Sequence, residues 1–335
     1  MTDLGKIDRE TFDSHVASSL GADRDDVLLE PTHGIDFGVL EVGGEAVVVA
    51  TDPISILPEI GLERAARFAL DLVLADVAVS GIAPTHLAIS FTLPPEMDDG
   101  AFATIQETMA AECRELGVAI VAGHTARYSD AAYPWVGGAT ALGVGDPDRL
   151  VRPDGAHPGD RLVLTTGPAA EAVGLFATLF DDELDLPEDV LGDARERLED
   201  VYAVRDAITA AAAGPVTAMH DVTEGGLAGA LNEMANGAGV RFEIDREAVP
   251  VKAGVRAVTD HLEIDPWHVT SCGSLLVAVD PDGVGDVLAA LADRGTVAAE
   301  IGRVEDGEGV VVDGEVLEHP EVDPSWEAYA ELAGE

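Results

Sequence analysis

Three aspartates in the first half of the chain stand among apolar residues, and their chemistry is that of a divalent-metal site. Asp76 lies in a predicted helix with Phe68, Leu70, Leu72, Val73, Leu74, Val77 and Val79 around it on nearly every face. Burying a lone carboxylate costs several kcal/mol unless it is paired or metal-bound. No lysine is near in sequence, so the partner is an arginine, a backbone or hydroxyl donor, a second subunit or a cation. Asp52 follows the apolar run 47–50 at a Thr-Asp-Pro step, which reads as a ligand-bearing strand end or as a turn aspartate before proline. Asp36 sits in Gly34-Ile35-Asp36-Phe37-Gly38-Val39-Leu40. Were the three to converge, each close pair would repel by ~4 kcal/mol at ~4 Å and an effective dielectric of ~20. Mg²⁺ would relieve that repulsion, taking a few carboxylates and completing its shell with water and phosphate oxygens.

Two turns offer the complementary chemistry of an anion site. Gly123-His124-Thr125, placed after a strand over 118–122, presents backbone N–H groups, an imidazole and a hydroxyl, or is a plain β-turn with a surface histidine. His220-Asp221-Val222-Thr223-Glu224-Gly225-Gly226 opens a helix over 227–236. Its two glycines let the backbone approach an anion at the positive helix N-terminus; the alternative is an ordinary helix start capped by Thr223. It matches neither GxxxxGK[ST] nor GxGxxG. Cys113 falls on one apolar stripe with Ile105, Met109 and Leu116 and reads as core. Cys272 and His268 carry no sequence sign of activation.

The elements that position these groups form two α/β halves. The first reads as strand 47–50, helix 63–80, strand 87–93, helix 101–116, strand 118–122 and strand 135–144. A Gly/Pro/Asp-rich connection over 145–159 follows, giving domains over 1–148 and 157–320. The second half reads as strand 161–166, helices 170–180 and 192–213, strand 216–219, helix 227–236, strand 274–280 and helix 284–294. A chain of 335 residues, 47% of them hydrophobic, exceeds one comfortable core and fills two.

Charge narrows the function classes further. With 19 Lys+Arg against 64 Asp+Glu the net charge is −45, and only Lys6 and Lys252 are lysines. Such a surface repels phosphate backbones and excludes a nucleic-acid role. The composition resembles that of salt-loving archaea, whose concentrated salt screens self-repulsion to within a few Å. Two distant cysteines argue against a disulfide scaffold or a zinc site and fit a reducing cytoplasm. No signal peptide is visible, and the longest uncharged run, 77–95, is broken by Gly81, Pro84 and His86, so no membrane span is expected.

Taken together, GIDFGVL (34–40), ATDPI (50–54), LADVAVSGIAP (74–84), AGHTAR (122–127), MHDVTEGGLAGALNEMA (219–235) and TSCGSLLVAV (270–279) resemble, in order, the motifs of one superfamily. The chain is similar to AIR synthase-related proteins of the PurM-type ATP-binding superfamily, over about residues 30–310, and within it to the hydrogenase expression/formation protein HypE. The resemblance implies an α/β (α+β), two-domain PurM-like architecture: an N-terminal domain whose sheet pairs across a homodimer, a C-terminal α/β domain, and Mg·ATP between them. It implies Asp36, Asp52 and Asp76 as magnesium carboxylates, with Gly123, Thr125, Thr223, Gly225 and Gly226 binding the nucleotide. His124 and Asp221 are the candidate catalytic groups, with His220 a further candidate base. Ile35, Ala122 and His124 depart from the pattern, replacing an acid, a glycine and an acid. HypE-type chemistry dehydrates a carbamoylated thiol on a C-terminal cysteine; here the last cysteine is Cys272 and the sequence ends Leu332-Ala333-Gly334-Glu335, so self-modification of a tail thiol is not expected. The implied function is Mg·ATP-dependent activation of an acceptor oxygen by phosphoryl transfer with release of ADP. The alternatives are maturation chemistry on a partner's thiol and a non-catalytic nucleotide-binding scaffold.

Overall fold

The computed structural model describes residues 5–7 and 9–334. Helices and strands alternate through most of the chain, and contacts divide it into two units. The first unit holds residues 22–31 and 36–150. The second holds 151–335 together with 32–35 and the N-terminal stretch through Gly21, which includes helix α1 (Arg9–His15). The main division thus falls between Leu150 and Val151, inside the Gly/Pro/Asp-rich connection.

The first unit runs β1 (Val27–Leu29), β2 (Gly38–Val42), β3 (Glu45–Ser55), α2 (Leu62–Ala78), β4 (Pro84–Leu93), α3 (Asp99–Leu116), β5 (Ala119–Arg127) and β6 (Trp135–Gly145). Its six-stranded sheet has the order β1-β2-β3-β6-β4-β5. One face is apolar and buried, with Val48, Ala50, Ile54, Leu87, Ile89, Phe91, Ala139 and Ala141 alternating inward as a half-buried sheet requires. Helix α2 packs across β3 and β6, and α3 lies beside it. The approach is close: a Cβ at Gly143 would stand 2.8 Å from Val77 Cγ1, so only glycine fits under α2 there. Asp98 caps α3, accepting from the Ala101 N–H at 2.7 Å, and Gly117 ends it in the left-handed region at φ 77°.

Two strand boundaries correct the sequence reading. β3 does not stop at residue 50; it continues through Asp52 and Pro53, pairing with β6 up to Ser55 opposite Trp135. Proline is tolerated because β2 covers β3 only as far as Val49, leaving that stretch with one open edge. β5 likewise does not end at Ala122. It runs beside β4 in parallel register to Arg127 opposite Leu93, so Gly123-His124-Thr125 is extended strand rather than a turn.

The second unit continues with β7 (Arg161–Thr165), α4 (Ala170–Leu179), α5 (Glu188–Arg195), α6 (Val204–Ala213), β8 (Val216–Asp221), α7 (Gly226–Ala238), β9 (Arg241–Ile244), α8 (Val255–His261), β10 (Leu275–Val279), α9 (Val284–Asp293), β11 (Ala298–Glu305), β12 (Gly309–Val312), β13 (Glu315–Val316) and α10 (Ser325–Ala333). Its seven strands have the order β13-β12-β9-β11-β7-β10-β8, and β10 is buried along its whole length. The core on α7 gathers Leu227, Leu231 and Met234 with Leu164, Phe242 and Leu276. A second core gathers Val173, Phe176, Leu191, Val258 and Ala328. The helix expected over 192–213 is broken into α5 and α6, because Leu198 and Val201 turn into the core and the backbone at Asp200 and Val201 packs against Gly273.

Candidate functional site

In the first unit, α2 carries Asp76 with only 8% exposure, while Val73, Leu74 and Val77 around it are fully buried. Asp71, one and a half turns earlier, is buried to a similar degree and was missed; it lies between Leu70 and Leu72 and meets the same criterion that singles out Asp76. Asp52 is half-buried on β3 opposite Ala139. Asp36 lies two residues ahead of Gly38, whose partner Val49 is three residues short of Asp52. Among the described residues, the oxygens of these three aspartates do not form a single cluster of mutually close ligand atoms. On β5, Gly123, His124 and Thr125 are exposed, and His124 Nε2 lies 3.3 Å from the Tyr128 hydroxyl.

In the second unit, β8 ends with His220 and Asp221, fully buried and 3% exposed, so both belong to the strand and the turn proper is 222–225. His220 Nδ1 lies 3.4 Å from Asp221 Oδ1, and Nε2 lies 2.8 Å from Glu233 Oε2 on α7. Glu233 also approaches His319 Nε2, at 3.7 Å. Burial pushes the Glu233 carboxyl up, but the bonds to His220 and His319 outweigh it and hold the group well below the usual carboxylate range. The same bond to Glu233 raises His319 above the ordinary 6.5.

That shift makes a prediction with a definite sign. A raised histidine pKa stabilises the fold below the unfolded value, and the benefit fades as pH rises through the folded value. His319 should therefore titrate by NMR above 6.5 and fall back toward it in Glu233→Gln. The stability at stake is below about 1 kcal/mol, since the ring is partly in solvent.

The glycine turn is occupied by other parts of the same unit. Gly225 is the N-cap of α7, with no side-chain cap, so Thr223 does not cap this helix. The Thr223 hydroxyl accepts from Lys6 Nζ at 3.2 Å, and Glu224 accepts from the Lys6 N–H at 2.8 Å and from Trp326 Nε1 at 2.7 Å. The Gly225 N–H donates to Asp323 Oδ2 at 3.0 Å and the Gly226 N–H to the Thr223 carbonyl at 2.9 Å. A cavity of about 750 Å³ opens beside the turn, lined by Lys6, Arg9, His33, Glu233, His319 and Trp326 among others.

A second strand-to-helix turn, after β7, was not singled out by sequence. Thr166 and Ala169 hold positive φ (61° and 63°) there, and Ser274 donates to the Gly167 carbonyl at 2.6 Å. Glu171, on the first turn of α4, accepts from the Thr270 hydroxyl at 2.6 Å and the Cys272 N–H at 3.1 Å, yet burial still pushes its carboxyl up. Burial, and then Glu171, push the Cys272 thiol well up, and burial raises Cys113 to about 11. Neither cysteine is poised as a nucleophile.

The AIR synthase related protein family model for the N-terminal domain matches residues 34–144, and that for the C-terminal domain matches 157–315. The chain belongs to the AIR synthase-related family. It is 31% identical over 281 residues to the carbamoyl dehydratase HypE of Rhizobium leguminosarum bv. viciae, covering 81% of this chain and 77% of that one. The structure of the hydrogenase maturation protein HypE in complex with ATP superposes with a TM-score of 0.71 at 25% identity, over 85% of this chain and 88% of that one. ThiL complexed with AMPPCP and TMP has a TM-score of 0.70 over 88% and 92% of the two chains, and at 22% identity the likeness is one of fold. The two-domain PurM-like fold is therefore that of the family. No helix among the described residues is long and apolar enough to cross a membrane.

Proposed function

We propose that this AIR synthase-related protein is a Mg·ATP-dependent enzyme that activates an oxygen of an acceptor by phosphoryl transfer and releases ADP. The observation that carries the reading is the fold match, over 85% of the chain, to HypE in complex with ATP. Asp36, Asp52 and Asp76 would hold the metal, directly or through its waters: all three are carboxylate-oxygen donors, the donor set a small hard cation prefers, and Mg²⁺ keeps several waters when it binds carboxylates. Bound there, Mg²⁺ supplies charge neutralisation on the phosphates. The turn at Thr223, Gly225 and Gly226 and the Gly123 and Thr125 stretch of β5 would be the further contacts of the nucleotide. Asp221 and His124 would be the groups that move a proton. The test is ADP release with and without candidate acceptors; nucleotide binding without turnover in any mixture would favour a scaffold role.

The identity to carbamoyl dehydratase HypE favours one second reading, action on a thiol of another protein. Both cysteines of this chain are buried with raised pKa, so the acceptor thiol would come from the partner. ADP release stimulated only by a thiol-bearing partner distinguishes it.

Homodimer formation is part of the proposal. β5 is an edge strand with eight of its nine residues exposed, including Ile120 at 39% and Val121 at 57%. An apolar, uncovered edge is a pairing template. Val121→Glu should halve the mass measured by light scattering in concentrated salt. A wild-type monomer would contradict the proposal.

A further inference from the structure

Asp221 ends β8 with 3% exposure, so a proton taken up there has little direct contact with water. The side chains beside it supply a path. Asp221 Oδ1 lies 3.4 Å from His220 Nδ1, and the far nitrogen of that ring, Nε2, lies 2.8 Å from Glu233 Oε2. The other Glu233 oxygen, Oε1, lies 3.7 Å from His319 Nε2. His319 Nδ1 is 2.7 Å from the Pro320 carbonyl oxygen and so carries a hydrogen, which leaves Nε2 as the proton-accepting side of the neutral ring. The row runs head to tail: His220 is entered by one nitrogen and left by the other, and Glu233 by one oxygen and the other.

Three elements bring the row together. Glu233 stands two turns into α7, which begins at Gly226 directly after β8 and the glycine turn. One residue earlier, Asn232 Nδ2 donates to the Leu317 carbonyl at 3.1 Å, which holds the segment after β13 beside α7 and sets His319 two residues further on. Side-chain exposure rises from 1% at His220 to 13% at Glu233 and 43% at His319. Glu233 and His319 both line the cavity of about 750 Å³. Well-packed apolar residues in place of a buried ionic row are often neutral or stabilising, so stability alone does not account for these groups. What they share is the capacity to take a proton on one atom and release one from another.

We propose that His220, Glu233 and His319 form a proton relay between Asp221 and the cavity. It rests on the reading of Asp221 as a group that moves a proton in the Mg·ATP reaction. Phosphoryl transfer to an acceptor hydroxyl makes the acceptor O–P bond, breaks the bond from the terminal phosphorus to the bridging oxygen of ADP, and frees the hydroxyl proton. Asp221 Oδ1 receives that proton and passes it to His220 Nδ1, while the hydrogen on His220 Nε2 moves to Glu233. Glu233 passes a proton to His319 Nε2, and the half-exposed ring releases it to bulk water through the cavity. The 3.4 Å and 3.7 Å links stand within about 1 Å of hydrogen-bond length, a gap that side-chain motion closes faster than turnover. His220, Glu233 and His319 are positioning residues, since they act through Asp221.

The experiment is steady-state ADP release from Mg·ATP in molar KCl, with water and with candidate acceptors, by the whole chain as wild type, His319→Ala, Glu233→Gln and His261→Ala, each with and without added imidazole. His319→Ala should lose kcat by about 100-fold with KM for ATP unchanged, at the low end of what positioned proton transfer contributes. Imidazole should restore most of the loss, because the cavity admits the missing ring. Glu233→Gln should lose kcat to a similar extent and gain nothing from imidazole, since its break lies in a link only 13% exposed. His261→Ala removes an exposed histidine of α8, outside the row, and should turn over as wild type does. If Glu233→Gln fails to fold, His319→Ala with and without imidazole carries the test. Wild-type turnover in His319→Ala, or a loss that imidazole does not restore, overturns the relay and leaves the ATP reading standing. No ADP release by the wild type in any mixture overturns both.

Discussion

Replacing Asp76 by asparagine should weaken Mg·ATP binding by about 100-fold or more, with a far smaller effect on the stability of the fold. Asparagine has the same shape, so α2 keeps its packing against β3 and β6. The charge is what changes. Asp76 is 8% exposed beside Val73, Leu74 and Val77, and a carboxylate there carries a desolvation cost that the neutral amide does not. If the acid exists to bind a cation, its loss is read in nucleotide affinity and in the magnesium dependence of that affinity, with orders of magnitude at stake for a primary ligand. If its role is structural only, the substitution instead costs stability and leaves affinity alone. Calorimetry and thermal melts on one preparation separate the two, and wild-type affinity in Asp76→Asn would remove the metal assignment.

The largest effect on stability is expected at Gly226, where valine should cost about 3 kcal/mol or more. The residue holds φ +60°, a region that a β-branched side chain avoids. A Cβ there would lie 2.5 Å from the Val269 carbonyl oxygen, 2.7 Å from that of Trp267 and 2.9 Å from the Val269 nitrogen. All three are backbone atoms that cannot swing aside. They also belong to the segment whose Trp267 carbonyl accepts the Ala228 N–H at 2.8 Å, so relieving the clash breaks the start of α7. Gly285→Ala is the control, since a Cβ on α9 there meets nothing within 4 Å and should be neutral or mildly stabilising. Urea unfolding in high salt measures both; a Gly226→Val as stable as Gly285→Ala would show that the turn is not built around this contact. The glycine at this place thus has a packing reason independent of any phosphate.

Local pattern revealed what local physics decides. The apolar stripe of Ile105, Met109 and Cys113 marks the buried face of α3, Gly117 ends that helix, and the apolar surroundings of Asp76 mark it as buried, because each depends on residues a turn or two apart. The overturned boundaries are those set by a neighbouring strand. Nothing within Gly123-His124-Thr125 says that β4 will run alongside as far as Leu93, and nothing in Thr-Asp-Pro says that β2 will cover β3 only as far as Val49 and leave an open edge for proline. The glycine turn shows the same limit. Its sequence displays two glycines before a helix, whereas its partners, Lys6 and Asp323, come from 217 and 98 positions away. Glu233 and His319 likewise meet only after folding. Composition was informative at the level of class but muted the acids: with 64 of them, a carboxylate stands out only where its surroundings are apolar, and Glu171 and Asp323 lie in segments too mixed to show it.

The dependence on magnesium and triphosphate is the point on which the rest hangs. Titration of ATP into the wild-type protein in molar KCl, once with Mg²⁺ and once with a chelator, measures it directly. The account predicts saturable binding with the metal and at least a tenfold loss without it, on the order expected when carboxylates must otherwise face phosphate unscreened. No binding in either buffer, or equal binding in both, would contradict it.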